Sequence, residues 1–134
     1  MADRLTCVVV TPEQTALETQ AEFVAVPLYD GELGIGIDHA PLIGRLGFGE
    51  MRIRAAGGGQ SSFYVDGGFV QVADNVVSIL TNKAVPAEKV DASIAEKQLA
   101  EALKRPNDTE DATAVRDRMI AQARAAIRVA KKKR

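Results

Sequence analysis

The chain of 134 residues holds one histidine, His39, and one cysteine, Cys7. These two side-chain types most readily serve as bases, nucleophiles or metal ligands near neutral pH. One copy of each cannot build a zinc site without carboxylate help, so no metal is expected. Gly34-x-Gly36-x-x-His39 brushes against a dinucleotide-binding fingerprint, but it lacks the third glycine and opens no helix. No Walker A lysine pattern and no nucleophile elbow occur. The acidic side chains are scattered over solvent-facing strand positions rather than paired for acid–base work. Cys7 sits in a β-type run with nothing basic on its own strand face, which reads as a small buried apolar residue rather than a reactive thiol. No catalytic residue and no cofactor are expected, which leaves charge and backbone geometry as the chemistry on offer.

Two segments carry it. One is Gly31-Glu32-Leu33-Gly34-Ile35-Gly36-Ile37-Asp38-His39-Ala40-Pro41-Leu42, with Phe63-Tyr64-Val65-Asp66-Gly67-Gly68-Phe69-Val70 following. The other is the basic run Arg128-Val129-Ala130-Lys131-Lys132-Lys133-Arg134. Positive charge at a helix C-terminus favours the macrodipole and accounts for that run without a partner. No aromatic or Arg-rich platform accompanies it, so no nucleic-acid partner is expected. Charge is divided unevenly: residues 1–86 carry ten acidic and five basic side chains, net −5, and residues 87–134 carry eight acidic and twelve basic, net +4. That split predicts two domains with different surroundings, 1–86 and 87–134.

The first domain reads as β. Leu5–Val10, Glu22–Leu28, Glu50–Ala55, Ser61–Val65, Phe69–Val72 and Val76–Leu80 are rich in Val, Ile and aromatics or alternate with period two. Asp30-Gly31, Gly57-Gly58-Gly59, Asp66-Gly67-Gly68 and Asp74-Asn75 are the turn signals between them. Short strands at this spacing predict an antiparallel β-sandwich or flattened barrel. No signal peptide is expected, and no stretch approaches the ~18 apolar residues of a membrane span, so direct membrane insertion is not expected.

After Val85-Pro86 the period becomes helical. Ile94, Ala95, Leu99, Ala102 and Leu103 fall on one face, behind Asp91 as N-cap. Arg105-Pro106 ends that helix, Asn107, Asp108 or Thr109 caps the next, and a second helix runs from about Glu110 to Lys131. Its stripe is Ala112, Val115, Met119, Ala123, Ala126, Ile127 and Ala130. The short connection makes an antiparallel α-helical hairpin. Alanine in place of leucine forfeits about three methylenes, roughly 2 kcal/mol. Two readings stay open: a hairpin docked with only a few kcal/mol, within reach of a partner's binding energy, or one docked permanently.

The Gly-Glu-Leu-Gly-Ile segment, the following His-Ala-Pro-Leu, the aromatic strand ending in Gly67-Gly68 and the run Asn75-Val76-Val77-Ser78-Ile79-Leu80 together resemble the epsilon subunit of bacterial and plastid F-type ATP synthases. The resemblance spans nearly the whole chain. It implies a non-catalytic rotor subunit of the central stalk that couples gamma to the c-ring during ion-driven ATP synthesis. It implies a peripheral position at the cytoplasmic face of a bacterial plasma membrane, or at the stromal face of a thylakoid. It places Glu32 and His39 in a loop facing the c-ring and gamma, and Thr11, Gly44 and Asp66 near the gamma side. It gives the hairpin a regulatory role, with Arg124, Arg128, Lys131, Lys132, Lys133 and Arg134 as the basic tail that meets acidic segments of the beta subunits, and with the alpha and beta subunits as partners in an inhibited state. ATP-sensing members carry an apolar residue and Asp, two variable positions, then Arg-Ala. Here Val90-Asp91-Ala92-Ser93-Ile94-Ala95 keeps Asp91 and Ala95 but has Ile94 for the arginine. An aliphatic side chain offers phosphate no donors, so weak or absent ATP binding is expected. The other classes left open are a small all-β binding module that self-associates through its hairpin, and a jelly-roll enzyme, against which the single histidine counts.

Overall fold

The computed structural model describes residues 3–134; Met1 and Ala2, with which the first domain of the sequence reading begins, lie outside the described residues. Seven strands are followed by two helices: β1 Leu5–Val10, β2 Thr15–Leu28, β3 Gly31–Gly36, β4 Leu42–Ala55, β5 Gln60–Ala73, β6 Val76–Leu80, β7 Ala84–Pro86, α1 Ala92–Leu103 and α2 Glu110–Lys131. A short 3-10 turn, Ala87–Lys89, links β7 to α1. The sheet order is β1-β6-β5-β4-β2-β3, with β7 on β5. Pairing of β1 with β2 closes the sheet on itself, which makes the sandwich a flattened barrel. Its strand pairs are antiparallel except β1 with β6, which runs parallel with Cys7 opposite Val77.

Alternation builds the interior. Leu5, Cys7 and Val9 of β1 point inward, as do Met51 and Ile53 of β4 and Val77 and Ile79 of β6. Burial pushes the Cys7 thiol up to about 12, so it is the inert apolar filler expected from its setting. The whole main core lies between Leu5 and Ile79, and no helix residue belongs to it.

Three expectations change. Asp66-Gly67-Gly68 is not a turn between two strands; β5 runs unbroken through it. Gly67 and Gly68 take φ of 70° and 102° there, and Gly68 approaches the Leu80 backbone so closely that a Cβ would collide with its carbonyl. The kink reverses which parity faces inward, so Val65 before it and Val70 after it both enter the core. It also lets β5 pair with β7 through Phe63–Val65 and with β6 through Phe69–Ala73. Gly31–Gly36 is a strand rather than a loop, paired with Phe23–Leu28 of β2. Finally, Ile94 and Leu103 do not share a buried face: they are 55% and 46% exposed, and α1 buries only Ala95 and Ala102.

In α2 the buried residues are Ile120, Ala123, Ala125 and Val129. A single stripe missed three of these because α2 packs on two sides, against α1 and against β4. Asp91 caps α1 by accepting from the Ser93 and Ile94 N–H groups at 2.8 and 3.2 Å, and Thr109 caps α2 by accepting from Ala112 N–H at 3.0 Å. Lys131 meets Glu96 at 2.8 Å and ties the end of α2 to the start of α1.

Candidate partner interface

The outer face of β4, β5 and β6 carries the largest exposed apolar side chains of the sandwich. Phe69 stands opposite Arg45 on β4 and opposite Leu80 on β6. Ile43, two residues before Arg45, shares that face and lies diagonal to Phe69. Ile43, Phe69 and Leu80 are 75%, 57% and 47% exposed. At the border the Arg45 guanidinium lies 5.6 Å from the centroid of the exposed Tyr29 ring, and the Tyr29 N–H donates to the Arg45 carbonyl at 3.1 Å. Adjacent large apolar side chains exposed together on one sheet face make it a candidate interaction surface. Sequence reasoning missed this patch. Phe69-Val70-Gln71-Val72 alternates, but the pattern alone does not say which pair faces out; packing settles it by burying Val70 and Val72.

The residues picked from the sequence do not converge on one spot. Glu32 lies near the start of β3 and His39 beyond its far end, so the four steps from Glu32 to Gly36 alone separate them by about 13 Å along the strand. Glu32 is not a free carboxylate: Arg52 donates to both its oxygens, at 2.7 and 3.0 Å. That bidentate pair raises the Arg52 pKa through its hydrogen bond to Glu32. His39 Nδ1 lies 2.8 Å from the Ala40 carbonyl, which can only accept, so Nδ1 is the donor in this contact. The loop around it is pinned: Asp38 N–H donates to Asn75 Oδ1 at 2.7 Å and Asn75 Nδ2 returns a bond to Asp38 Oδ1 at 2.9 Å. Asp38, Asp74 and Asn75 all take positive φ, a conformation Asp and Asn adopt more readily than most residues.

Thr11 closes the β1–β2 turn through mutual backbone bonds with Gln14, at 2.9 and 3.2 Å. Gly44 lies on the side of β4 that faces Leu28 and Val70; a Cβ there would stand 3.2 Å from Leu28 and 3.3 Å from Val70. Asp66 sits under the hairpin, where Gln122 Nε2 of α2 donates to its Oδ1 at 2.9 Å. Burial, reinforced by the Asp66 charge, raises the pKa of neighbouring Tyr64.

The hairpin rests on a small second cluster. Ala125 and Val129 meet Tyr64 and Ala87, with Phe48, Val90 and Ala126 at the edge. Full burial of a valine is worth about 1.5 kcal/mol at the lower end of the range, and alanine contributes less. Beside this contact, Arg45, Arg118, Arg124 and Arg128 line an open groove between β4 and α2. Among the described residues none of the four forms an ion pair. Lys132 and Arg134 instead reach back to Glu50 on β4, and Lys133 between them is exposed. A cleft of about 390 Å³ separates the two helices from the sandwich, with Lys83, Lys89, Asp91 and Ile94 in its lining. Asp91 is occupied there as the α1 cap, and Ile94 brings no donor to it. No helix among the described residues is long and apolar enough to cross a membrane.

Residues 4–87 match the family model of the ATP synthase delta/epsilon chain β-sandwich domain. The chain is similar to the ATP synthase epsilon chain of Rhodopirellula baltica, 46% identical over 125 residues, covering 93% of this chain and 97% of that one. It is 44% identical over 103 residues to the epsilon chain of Desulfitobacterium hafniense strain Y51, covering 75% and 77%. It is 33% identical over 90 residues to the sodium-ion-specific epsilon chain of Propionigenium modestum, covering 67% and 65%. Among solved structures its fold is similar to a chain of the Euglena gracilis mitochondrial ATP synthase, with a TM-score of 0.83, 22% identity and coverage of 93% and 80%. It is also similar to a chain of the Tetrahymena thermophila central stalk and c-ring, with a TM-score of 0.75, 18% identity and coverage of 95% and 96%. A closed β-sandwich with an unpartnered apolar face, a trailing helical hairpin and this degree of kinship over most of the sequence have one common explanation: the chain belongs to the F-type ATP synthase epsilon family.

Proposed function

We propose that this chain is a central-stalk rotor subunit whose sandwich is held by gamma across the outer face of β4, β5 and β6 and whose Glu32 and His39 regions meet polar loops of gamma and the c-ring. The observation that carries the reading is the exposed group Ile43, Phe69 and Leu80 on a rigid sheet face. Torque can pass through a body that does not shear, and a barrel closed by β1–β2 pairing over a continuous core is such a body. The chain takes its place at the cytoplasmic face of the membrane through the c-ring, with no segment of its own in the bilayer. Phosphoryl chemistry belongs to other subunits. Pull-down from a membrane extract should recover gamma and the head subunits. A clean homodimer without gamma would favour the self-associating binding module instead.

The hairpin supplies regulation in this reading. Its apolar contact with the sandwich is small, and Arg124 and Arg128 face a groove without carboxylate partners of their own. Released, the helices extend along gamma and place the basic face of α2, with Lys131–Arg134, against acidic segments of the beta subunits. The head assembled with full-length chain should hydrolyse ATP more slowly, by about fivefold or more, than the head assembled with a chain ending at Pro86. Every residue of the main core is present in the shorter chain. Equal rates would remove the inhibitory role and leave coupling intact.

ATP itself is not the regulator here. With Asp91 engaged as a cap and Ile94 in place of a guanidinium, calorimetry on the isolated chain should show no saturable binding at micromolar ATP. A low-micromolar Kd would overturn this.

A further inference from the structure

Glu50 occupies the middle of β4, opposite Tyr64 of β5, on the face that the hairpin covers. Its side chain is only 11% exposed. Lys132 Nζ donates to one carboxylate oxygen at 2.6 Å, and Arg134 donates to the other through two nitrogens, at 2.6 and 3.0 Å. A fourth bond, from Arg134 to the Lys132 carbonyl at 3.0 Å, shapes the segment that delivers both cations. Lys132 has left the helix, with extended φ and ψ of −67° and 131°, and so the segment turns from the α2 axis back to the sheet.

The arrangement differs from an ordinary surface pair in its asymmetry. Lys132 and Arg134 remain partly in water, at 47% and 30% exposure, so either is readily solvated when it leaves. Glu50 is not, and a covered carboxylate stripped of its cations loses more than they do. Arg52 stands 3.7 Å from Glu50, but its guanidinium is already committed to Glu32 in bidentate geometry. Among the described residues no second pair of cations is therefore poised to replace the two that the segment after α2 brings.

We propose that Glu50, Lys132 and Arg134 form an ionic clasp that sets how often the hairpin leaves the sandwich, and that withholds Lys132 and Arg134 from an acidic partner until it opens. The apolar contact it reinforces is small, centred on Ala125 and Val129, and the Gln122–Asp66 hydrogen bond is a second polar tie from α2 to the sheet. Releasing two cations while extending the helices makes docking and partner binding mutually exclusive for the same side chains. That competition rests on the central-stalk reading; the clasp does not.

Salt rather than pH is the lever near neutrality. Burial alone would raise the Glu50 pKa, but the hydrogen bonds and charges of Lys132 and Arg134 outweigh it and hold it below the usual carboxylate range. The groups facing Glu50 are Lys132 and Arg134 from the segment after α2, Arg52 on its own strand and Tyr64 opposite it on β5, with Glu32 behind Arg52. A depressed carboxylate contributes above its unfolded pKa and weakens only as pH falls through the lower folded value, in acid.

The test uses the full chain with Val129→Cys. The introduced thiol lies in the hairpin contact, and native Cys7, fully buried in the sandwich core, reports unfolding of the body in the same sample. In this background Glu50→Gln, or Lys132→Ala with Arg134→Ala, should speed labelling at position 129 about tenfold while Cys7 stays unreactive. Raising salt from ~0.05 to ~0.5 M should do the same in the otherwise unchanged chain and have little effect in either variant. Unchanged labelling in Glu50→Gln, or a parallel rise at Cys7, would overturn the clasp. Poly-glutamate as the acidic probe should accelerate labelling only where Lys132 and Arg134 are present. Failure of that arm alone would overturn the competition and with it the proposed acidic partner, while the clasp stood.

Discussion

Phe69→Glu, alone or with Ile43→Glu, is expected to abolish assembly with gamma while leaving the isolated chain folded. Both side chains point away from the core and are more than half exposed, so the fold loses almost no burial when they change. At an interface the same substitution removes an apolar anchor and introduces a charge that must be desolvated beside Leu80. Affinity for gamma should fall about 100-fold or more, and the melting temperature should stay close to that of the parent. Quantitative binding to purified gamma, read beside thermal melts, checks both halves. Retention of gamma at parental affinity would move the contact off this face and end the case for it.

Gly68→Ala should be the most damaging single-methyl change in the sandwich. The residue sits at φ 102°, where an L side chain is strained, and its Cβ would run into the Leu80 carbonyl. Relief would require separating β5 from β6, which are paired from Phe69 to Ala73. A loss of about 3 kcal/mol or more is expected, which lowers the melting temperature by about 10 °C or more for a protein of this size. Gly36→Ala is the control. It has open space where a Cβ would go and no positive φ, so its melt should lie within a few degrees of the parent. Similar melts for the two variants would show that the kink relaxes without cost.

The contrast between these glycines shows what the sequence could and could not convey. Composition and spacing identified Asp66-Gly67-Gly68 as a place of positive φ, and it is one. They could not tell a reversal of chain direction from a kink within a strand, because both need the same torsions and only the register on β4 distinguishes them. The same limit applied to Gly31–Gly36. Glycines dilute its apolar alternation, and it is a strand because β2 offers it an edge. Thr15–Ala21 was overlooked since threonine, glutamate and glutamine interleave its few apolar residues; pairing with β1 makes it a strand. Helix limits were legible, because caps are local chemistry: Asp91 and Thr109 bond to N–H groups two or three residues on. Ile94 and Leu103 follow the helical period but remain exposed, since periodicity describes a face without naming its neighbour. The charged sites suffered most. Glu32 was legible as a carboxylate near the glycines, whereas its engagement by Arg52, twenty residues on, required the barrel to bring the two together.

The parallel seam between β1 and β6 has a consequence for how the molecule is made. β1 can pair early with β2, its neighbour in sequence, but its other edge waits for Val76–Leu80, some seventy residues later on the nascent chain. Until then Leu5, Cys7 and Val9 lack half their cover. Contacts this distant in sequence form slowly, because the loop entropy is lost before the contact is gained. Closure of that seam is therefore expected to be the late step of biogenesis, and the interval before it is when the unfinished barrel is most exposed to aggregation.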